Sequence, residues 1–200
     1  MSLVTFLYRC PECGHDPLHG EGDRALCDSC GVRFERGKRG QIRAGGSIRP
    51  ARDLALAIEE FGGPLTAATL PDGSISYATR VAATRCVGMD PIQGLDEFMG
   101  FAERWDQPTL GTLEVTDAAV SFSPDGEGEG GDVSLLGLHA IQTASSALQL
   151  VTASGLTQYR FLDDSVMRWE SLLRMLVRQS WADAGRGRVV EYQPRIVTVP

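Results

Sequence analysis

The sequence predicts an α+β chain in two parts: a small cysteine-built ribbon at the N-terminus, then an antiparallel β domain closed by a C-terminal amphipathic helix. Three observations carry this. Cys10, Cys13, Cys27 and Cys30 stand as two Cys-x-x-Cys pairs near the start. Short apolar runs separated by turn residues follow one another from Leu110 to Leu162. An apolar stripe at helical spacing then runs from Val166 to Trp181. The chain has 200 residues, 42% of them hydrophobic, and a formal net charge of −7. That is enough for one medium domain or two small ones with a true core.

Taken in order, residues 1–40 read as the ribbon. Leu3 to Arg9 is a strand-like run ending at the first cysteine pair, Arg24 to Leu26 leads into the second, and Val32 to Glu35 continues as a short strand. Gly37, Gly40, Gly45 and Gly46 interrupt the chain and mark a boundary. Residues 41–72 read as a basic linker and a connecting helix from Pro50 to Phe61. Proline suits a first helical turn, Leu54, Ala57, Ile58 and Phe61 share a face, and Gly62-Gly63-Pro64 ends the run. Residues 73–184 read as the β domain. It opens with a strand from Ile75 to Val87 and a short helix from Gly94 to Trp105, with Leu95, Phe98, Phe101 and Ala102 inward.

Strands are then expected at Leu110–Thr116, Ala119–Ser123, Val133–Leu136, Ala140–Thr143, Ala147–Thr152 and Leu156–Leu162. Asp117-Ala118, Ser145-Ser146 and Ser154-Gly155 are the turns, and Pro124 to Asp132 (PDGEGEGGD) is a mobile acidic loop. The closing helix is capped by Asp163 or Asp164. It buries Val166, Trp169, Leu172, Leu173, Leu176, Val177 and Trp181, with Arg168, Arg174 and Arg178 off the stripe. Residues 185–200 form an extended tail in which Pro194 prevents long strand pairing.

The cysteine spacing carries the chemistry. Two residues between cysteines let each pair wrap a knuckle, and Gly14 and Gly31 each follow a pair, where the chain turns without a Cβ clash. Four thiolates suit a tetrahedral zinc ion at about 2.3 Å per bond, with two disulfides or an iron centre as the alternatives. A closed four-ligand site leaves no position for substrate, so the metal is structural: it holds together a segment too small to fold alone. His15 and His19 read as surface residues, and Cys86 as a buried thiol.

Charge is unevenly spread. Arg33, Arg36, Lys38, Arg39, Arg43, Arg49 and Arg52 are opposed between Val32 and Arg52 only by Glu35. The first six of these are the candidate anionic-surface residues, and the bland alternative is a solvated linker. The ribbon proper carries Glu12, Asp16, Glu21, Asp23 and Asp28 against Arg9 and Arg24, the wrong sign for nucleic-acid phosphate. No apolar run is long enough to span a bilayer. The start lacks a basic region and cleavage site, so the expected place is the cytoplasm, extending to the inner face of the membrane.

The stretch YRCPECGHDPLHGEGDRALCDSCGVRF resembles rubredoxin-like zinc ribbons. Gly111 to Trp181 resembles a pleckstrin-homology (PH) or GRAM-type domain in its Gly111-Thr-Leu-Glu-Val-Thr opening, its Tyr159-Arg-Phe-Leu strand and its closing helix with Trp169. The combination is similar to the C-terminal appendage of some bacterial lysophospholipid acyltransferases. Their His-x-x-x-x-Asp motif is missing here: the residues five after His15, His19 and His139 are Gly20, Arg24 and Ala144. The resemblance therefore implies a place near membranes or lipid enzymes and no acyl transfer.

No nucleotide-binding glycine loop occurs, and His139, Ser145 and Asp132 form no ordered triad. The carboxylates of the 124–132 loop lack EF-hand spacing. The sequence thus predicts a non-catalytic zinc-binding interaction module or accessory subunit with a protein partner. A peripheral anionic-lipid module is the second expectation, and a nucleic-acid-binding ribbon the third.

Overall fold

A computed structural model gives the fold. It describes residues 2–94, 97–144, 147–192 and 195–199, with side chains at 2–94, 98–143 and 147–187. The expected inward Leu95, the Ser145-Ser146 turn and the role of Pro194 lie outside the described residues. The chain is α+β, and its compact units are two: Met1–Tyr77 with Asp164–Met175, and Ala78–Asp163 with Leu176–Pro200.

The first unit opens with α1 (Leu3–Phe6), where a strand was expected. The run Leu3-Val-Thr-Phe-Leu7 fits either period, and closure of Leu7 N–H onto the Leu3 carbonyl at 2.8 Å puts Leu3 and Leu7 on one buried face. Strands β1 (Arg24–Leu26), β2 (Arg33–Arg36), β3 (Gln41–Ala44) and β4 (Ser47–Pro50) form one antiparallel sheet in that order. The sequence reading made β3 and β4 a linker because of Gly45-Gly46. In the structure that pair is the two-residue turn of a hairpin, with φ of 52° and 99° and Ala44 opposite Ser47. Positive φ at both positions matches the twist of the flanking strands, so the glycines join the strands rather than break the chain. Alternation along β3 buries Ile42 and Ala44. Helix α2 (Ala51–Glu60) follows Pro50 as expected and buries Leu54 and Ile58, whereas Ala57 is only half-buried and Phe61 exposed.

The second unit is built on β5 (Ser76–Gly94), whose first two residues belong to the first unit, and on β6 (Glu97–Trp105), β7 (Thr109–Thr116), β8 (Ala119–Pro124), β9 (Gly131–Ser134), β10 (Ala140–Ala144), β11 (Ala147–Thr152) and β12 (Gly155–Phe161). Their sheet runs β10-β11-β12-β5-β7-β8-β9, with β6 paired to β5 alone. The expected meander is present, but β6 stands where a helix was predicted. Phe98 and Phe101 are spaced as on a helix face, yet aromatic residues suit a pleated surface equally well, and the long β5 supplies a ladder from Cys86↔Trp105 to Gly94↔Glu97. Past β9, Leu135–Gly137 forms a 3-10 turn started by the Ser134 hydroxyl.

Helix α3 (Val166–Asp183) follows β12 in the chain. Its N-terminal cap is the hydroxyl of Ser165, which accepts from the Arg168 N–H at 3.3 Å, and not the carboxyl group of Asp163 or Asp164. The Asp164 carboxylate is already engaged, accepting from Trp169 Nε1 at 2.8 Å. The tail, expected to be extended and without long strand pairing, is a hairpin of two short strands, β13 (Arg188–Tyr192) and β14 (Arg195–Val199). Among the described residues no helix is long and apolar enough to cross a membrane.

Candidate metal centre

Each Cys-x-x-Cys pair folds the same way. Gly14 N–H donates to the Cys10 carbonyl at 2.9 Å and Gly31 N–H to the Cys27 carbonyl at 2.8 Å. The chain then reverses, so that Cys10 N–H reaches the His15 carbonyl at 2.8 Å and Cys27 N–H the Val32 carbonyl at 3.0 Å. The two glycines have φ of 74° and 72°, the left-handed conformation their positions demand. A bridge between His19 and Leu26 closes the loop that carries one knuckle to the other.

This pairing brings the four sulfurs to within 4.8 Å of one another. Cys10 Sγ lies 3.7 Å from Cys30 Sγ, and Cys13 Sγ 3.5 Å from Cys27 Sγ. Bonds of about 2.3 Å in a tetrahedron put sulfurs about 3.8 Å apart, so the cluster has the size of a metal tetrathiolate. All four thiols are unlinked, at spacings far beyond the roughly 2 Å of a disulfide. Cys10 and Cys27 are fully buried, while Cys13 and Cys30 face outward. Burial pushes the Cys10 thiol up. At Cys13 burial acts the same way but is outweighed by the His15 N–H and the neighbouring thiols, which bring it down to about 7. Four sulfurs at this separation could hold one metal ion. His19 is exposed, with Nε2 3.3 Å from Asp28, as expected of a surface residue; His15 is half-buried.

Behind the knuckles lies a cluster that sequence reasoning missed. Asp16 and Arg168 are 1% and 6% exposed, and Arg168 NH1 stands 2.7 Å from Asp16 Oδ1. The contact is an ion pair without the alignment of a hydrogen bond. The guanidinium lies 5.6 Å from each of the Tyr8 and Tyr77 ring centroids, with Asp164 3.4 Å from its Nε. Tyr8 hydroxyl pairs with Ser171 at 2.8 Å, and the Ser165 hydroxyl donates to the Thr5 carbonyl. Arg168 was expected off the apolar stripe, but it stands one helical turn before the fully buried Leu172 and so faces inward. That spacing was the available signal; nothing in the sequence joined it to Asp16.

The six basic candidates fall on the ribbon sheet: Arg33 and Arg36 on β2, Lys38 and Arg39 in the following turn, Arg43 on β3 and Arg49 on β4. Arg43 stands opposite Glu35, 3.5 Å from it, whereas Arg36 and Arg49 share a cross-strand row with Ile42. Arg36 also meets Asp23 at 3.2 Å and Arg49 meets Glu12 at 2.6 Å. Among the described residues Arg33, Lys38 and Arg39 have no ion pair. Cys86, expected buried, is half-buried, and its thiol donates to the Gly88 carbonyl.

No protein-family model matches the chain, and no curated protein matches it. The acyltransferase-appendage resemblance therefore has no counterpart in these comparisons. Among solved structures, the N-terminal PH domain of human ARAP2 is similar at 11% identity and a TM-score of 0.36. The match covers 60% of this chain and 87% of that one.

Proposed function

We propose that the chain is a non-catalytic, zinc-binding interaction module: an accessory subunit in which the metal shapes a docking ribbon for a protein partner. The observation that carries this reading is the closed set of four sulfurs, all within 4.8 Å of one another, which leaves no ligand position for substrate. Zinc is favoured over iron because thiolate sites that serve structure alone use a redox-inert ion. The partner docks in the cytoplasm, at the inner face of the membrane. The test is affinity purification of the native chain in mild detergent with metal analysis of the same sample. Stoichiometric zinc with a reproducible co-purifying protein is the expected result. Recovery of the bare chain in every preparation would remove the accessory-subunit reading, and absence of zinc would remove the metal.

A second reading, attraction to anionic lipid, draws support from Lys38 and Arg39 on the exposed β2–β3 turn. Each basic residue at an anionic surface contributes roughly 1 kcal/mol. Vesicle sedimentation that rises with anionic lipid and disappears in high salt is its signature.

A further inference from the structure

The second unit contains a cavity of about 710 Å³, which the metal-ribbon reading does not use. It is the size of a small-molecule pocket, within the usual span of about 300–1,000 Å³. Its wall is mixed: Ala83 from β5, Val120 and Phe122 from β8, Leu150 from β11 and Leu156 from β12 form an apolar side, and Thr109, Thr152, Ser154 and Thr157 a hydroxyl-bearing one. Tyr159 completes it, 8% exposed and packed against Phe122 at 5.9 Å between ring centroids. Its hydroxyl has no hydrogen-bond partner among the described residues. The phenol oxygen is not sealed from solvent, so it is a donor and acceptor within reach of whatever enters the cavity.

The rim has a definite sign. Among the described residues Arg85 is its single cation, against Asp106, Glu129 and Asp132. Arg85 is also committed: its guanidinium pairs with the Glu129 carboxylate and donates to the Glu129 carbonyl at 3.0 Å, while its N–H donates to Asp106 at 2.7 Å. Glu129 and Asp132 belong to the glycine-rich segment Pro124–Asp132, which Arg80 also holds through both oxygens of Asp125. The expected mobile loop is thus fastened at two points, of which Arg85–Glu129 lies on the rim. An apolar side carrying Phe122 and Tyr159, next to an acidic rim, suits a ligand with a hydrocarbon body and a positive head.

We propose that this cavity binds a small amphipathic organic cation, with its hydrocarbon body against Phe122, Leu150, Leu156 and Tyr159 and its ammonium group at Asp106, Glu129 and Asp132. The test uses the full metal-loaded chain and three six-carbon probes that differ in the head: hexyltrimethylammonium, hexanoate and 1-hexanol. Binding is followed by amide chemical shifts. The ammonium is expected to bind tightest and to shift the amides around Phe122, Leu156 and Tyr159. Combining Glu129→Gln with Asp132→Asn, both on the exposed rim, should weaken it about fivefold, the scale of lost surface charge interactions. Leu156→Trp should fill the well and abolish binding; if that variant fails to fold, the rim variant decides. Equal or tighter binding of hexanoate or hexanol overturns the proposal. So does the absence of shifts with all three probes, or a response confined to residues outside the cavity.

Discussion

Arg168 NH1 lies 2.7 Å from the Asp16 carboxylate, with both side chains almost wholly removed from water. Two ring faces and Asp164 complete the surroundings of the guanidinium. Removing one member of such a pair strands the other charge, at a cost of about 3–5 kcal/mol. Arg168→Met should lower stability by that amount in urea unfolding of the metal-loaded chain. Adding Asp16→Leu should recover much of the loss. Strictly additive losses in the double variant would show that the two groups are not coupled.

The knuckle glycines allow a finer comparison. Gly14 and Gly31 have nearly the same positive φ, so alanine strains either backbone by about 1–2 kcal/mol. At Gly14 a new Cβ also meets the Phe61 ring at 2.8 Å, whereas at Gly31 it meets open space. Gly14→Ala is expected to cost a further 1–3 kcal/mol or so from crowding. Equal midpoints for the two variants would contradict this packing.

Metal loading should depend on the buried cysteines and not on the odd one. Cys10→Ser is expected to reduce bound zinc, measured by elemental analysis, to background and to expose the ribbon to protease. Cys86→Ser, at a thiol that only donates to a nearby carbonyl, should keep the full complement. Chelator treatment of the unaltered chain should reproduce the Cys10→Ser digestion pattern, because binding and folding of such ribbons are one event.

Burial raises the Tyr8, Tyr77 and Tyr159 phenols, the last to about 12. A phenol that is harder to ionise when folded contributes stability in full below its ordinary pKa of about 10. That contribution is lost as pH rises through about 12. Ultraviolet titration should show most phenolate forming only above pH 11, together with unfolding. An early step near 10 from Tyr159 would mean that its ring is not packed as described.

What was legible in the sequence was whatever local spacing determines. The two cysteine pairs with their glycines gave the knuckles, and the alternation from Leu110 onward gave β7 to β12. Two periods were misread where a short apolar run satisfies both templates: Leu3 to Leu7, and Phe98 to Ala102. Gly45-Gly46 shows a different limit, since a glycine pair reads as an interruption until strands on both sides are known to pair. The Asp16–Arg168 pair was beyond reach because its partners come from opposite ends of the chain, and a buried arginine on a helix resembles an exposed one until its countercharge is located. The cavity belongs to the same class, being assembled from strands that are distant in sequence.

The joining of the chain's start to its end bears on how the protein is made. Thr5, Tyr8 and Asp16 find their partners in Ser165, Ser171 and Arg168, at separations of 160 residues for the Thr5 and Tyr8-carbonyl contacts and 163 for the tyrosine hydroxyl. At roughly 5–20 residues per second, the ribbon waits about ten to thirty seconds on the ribosome before those groups emerge. Its cysteines can close on a metal early, while the Asp16 carboxylate and the Tyr8 ring await helix α3. During translation the ribbon is therefore the first element completed by metal and among the last completed by packing, and a chain stopped before residue 164 would release it with that surface bare.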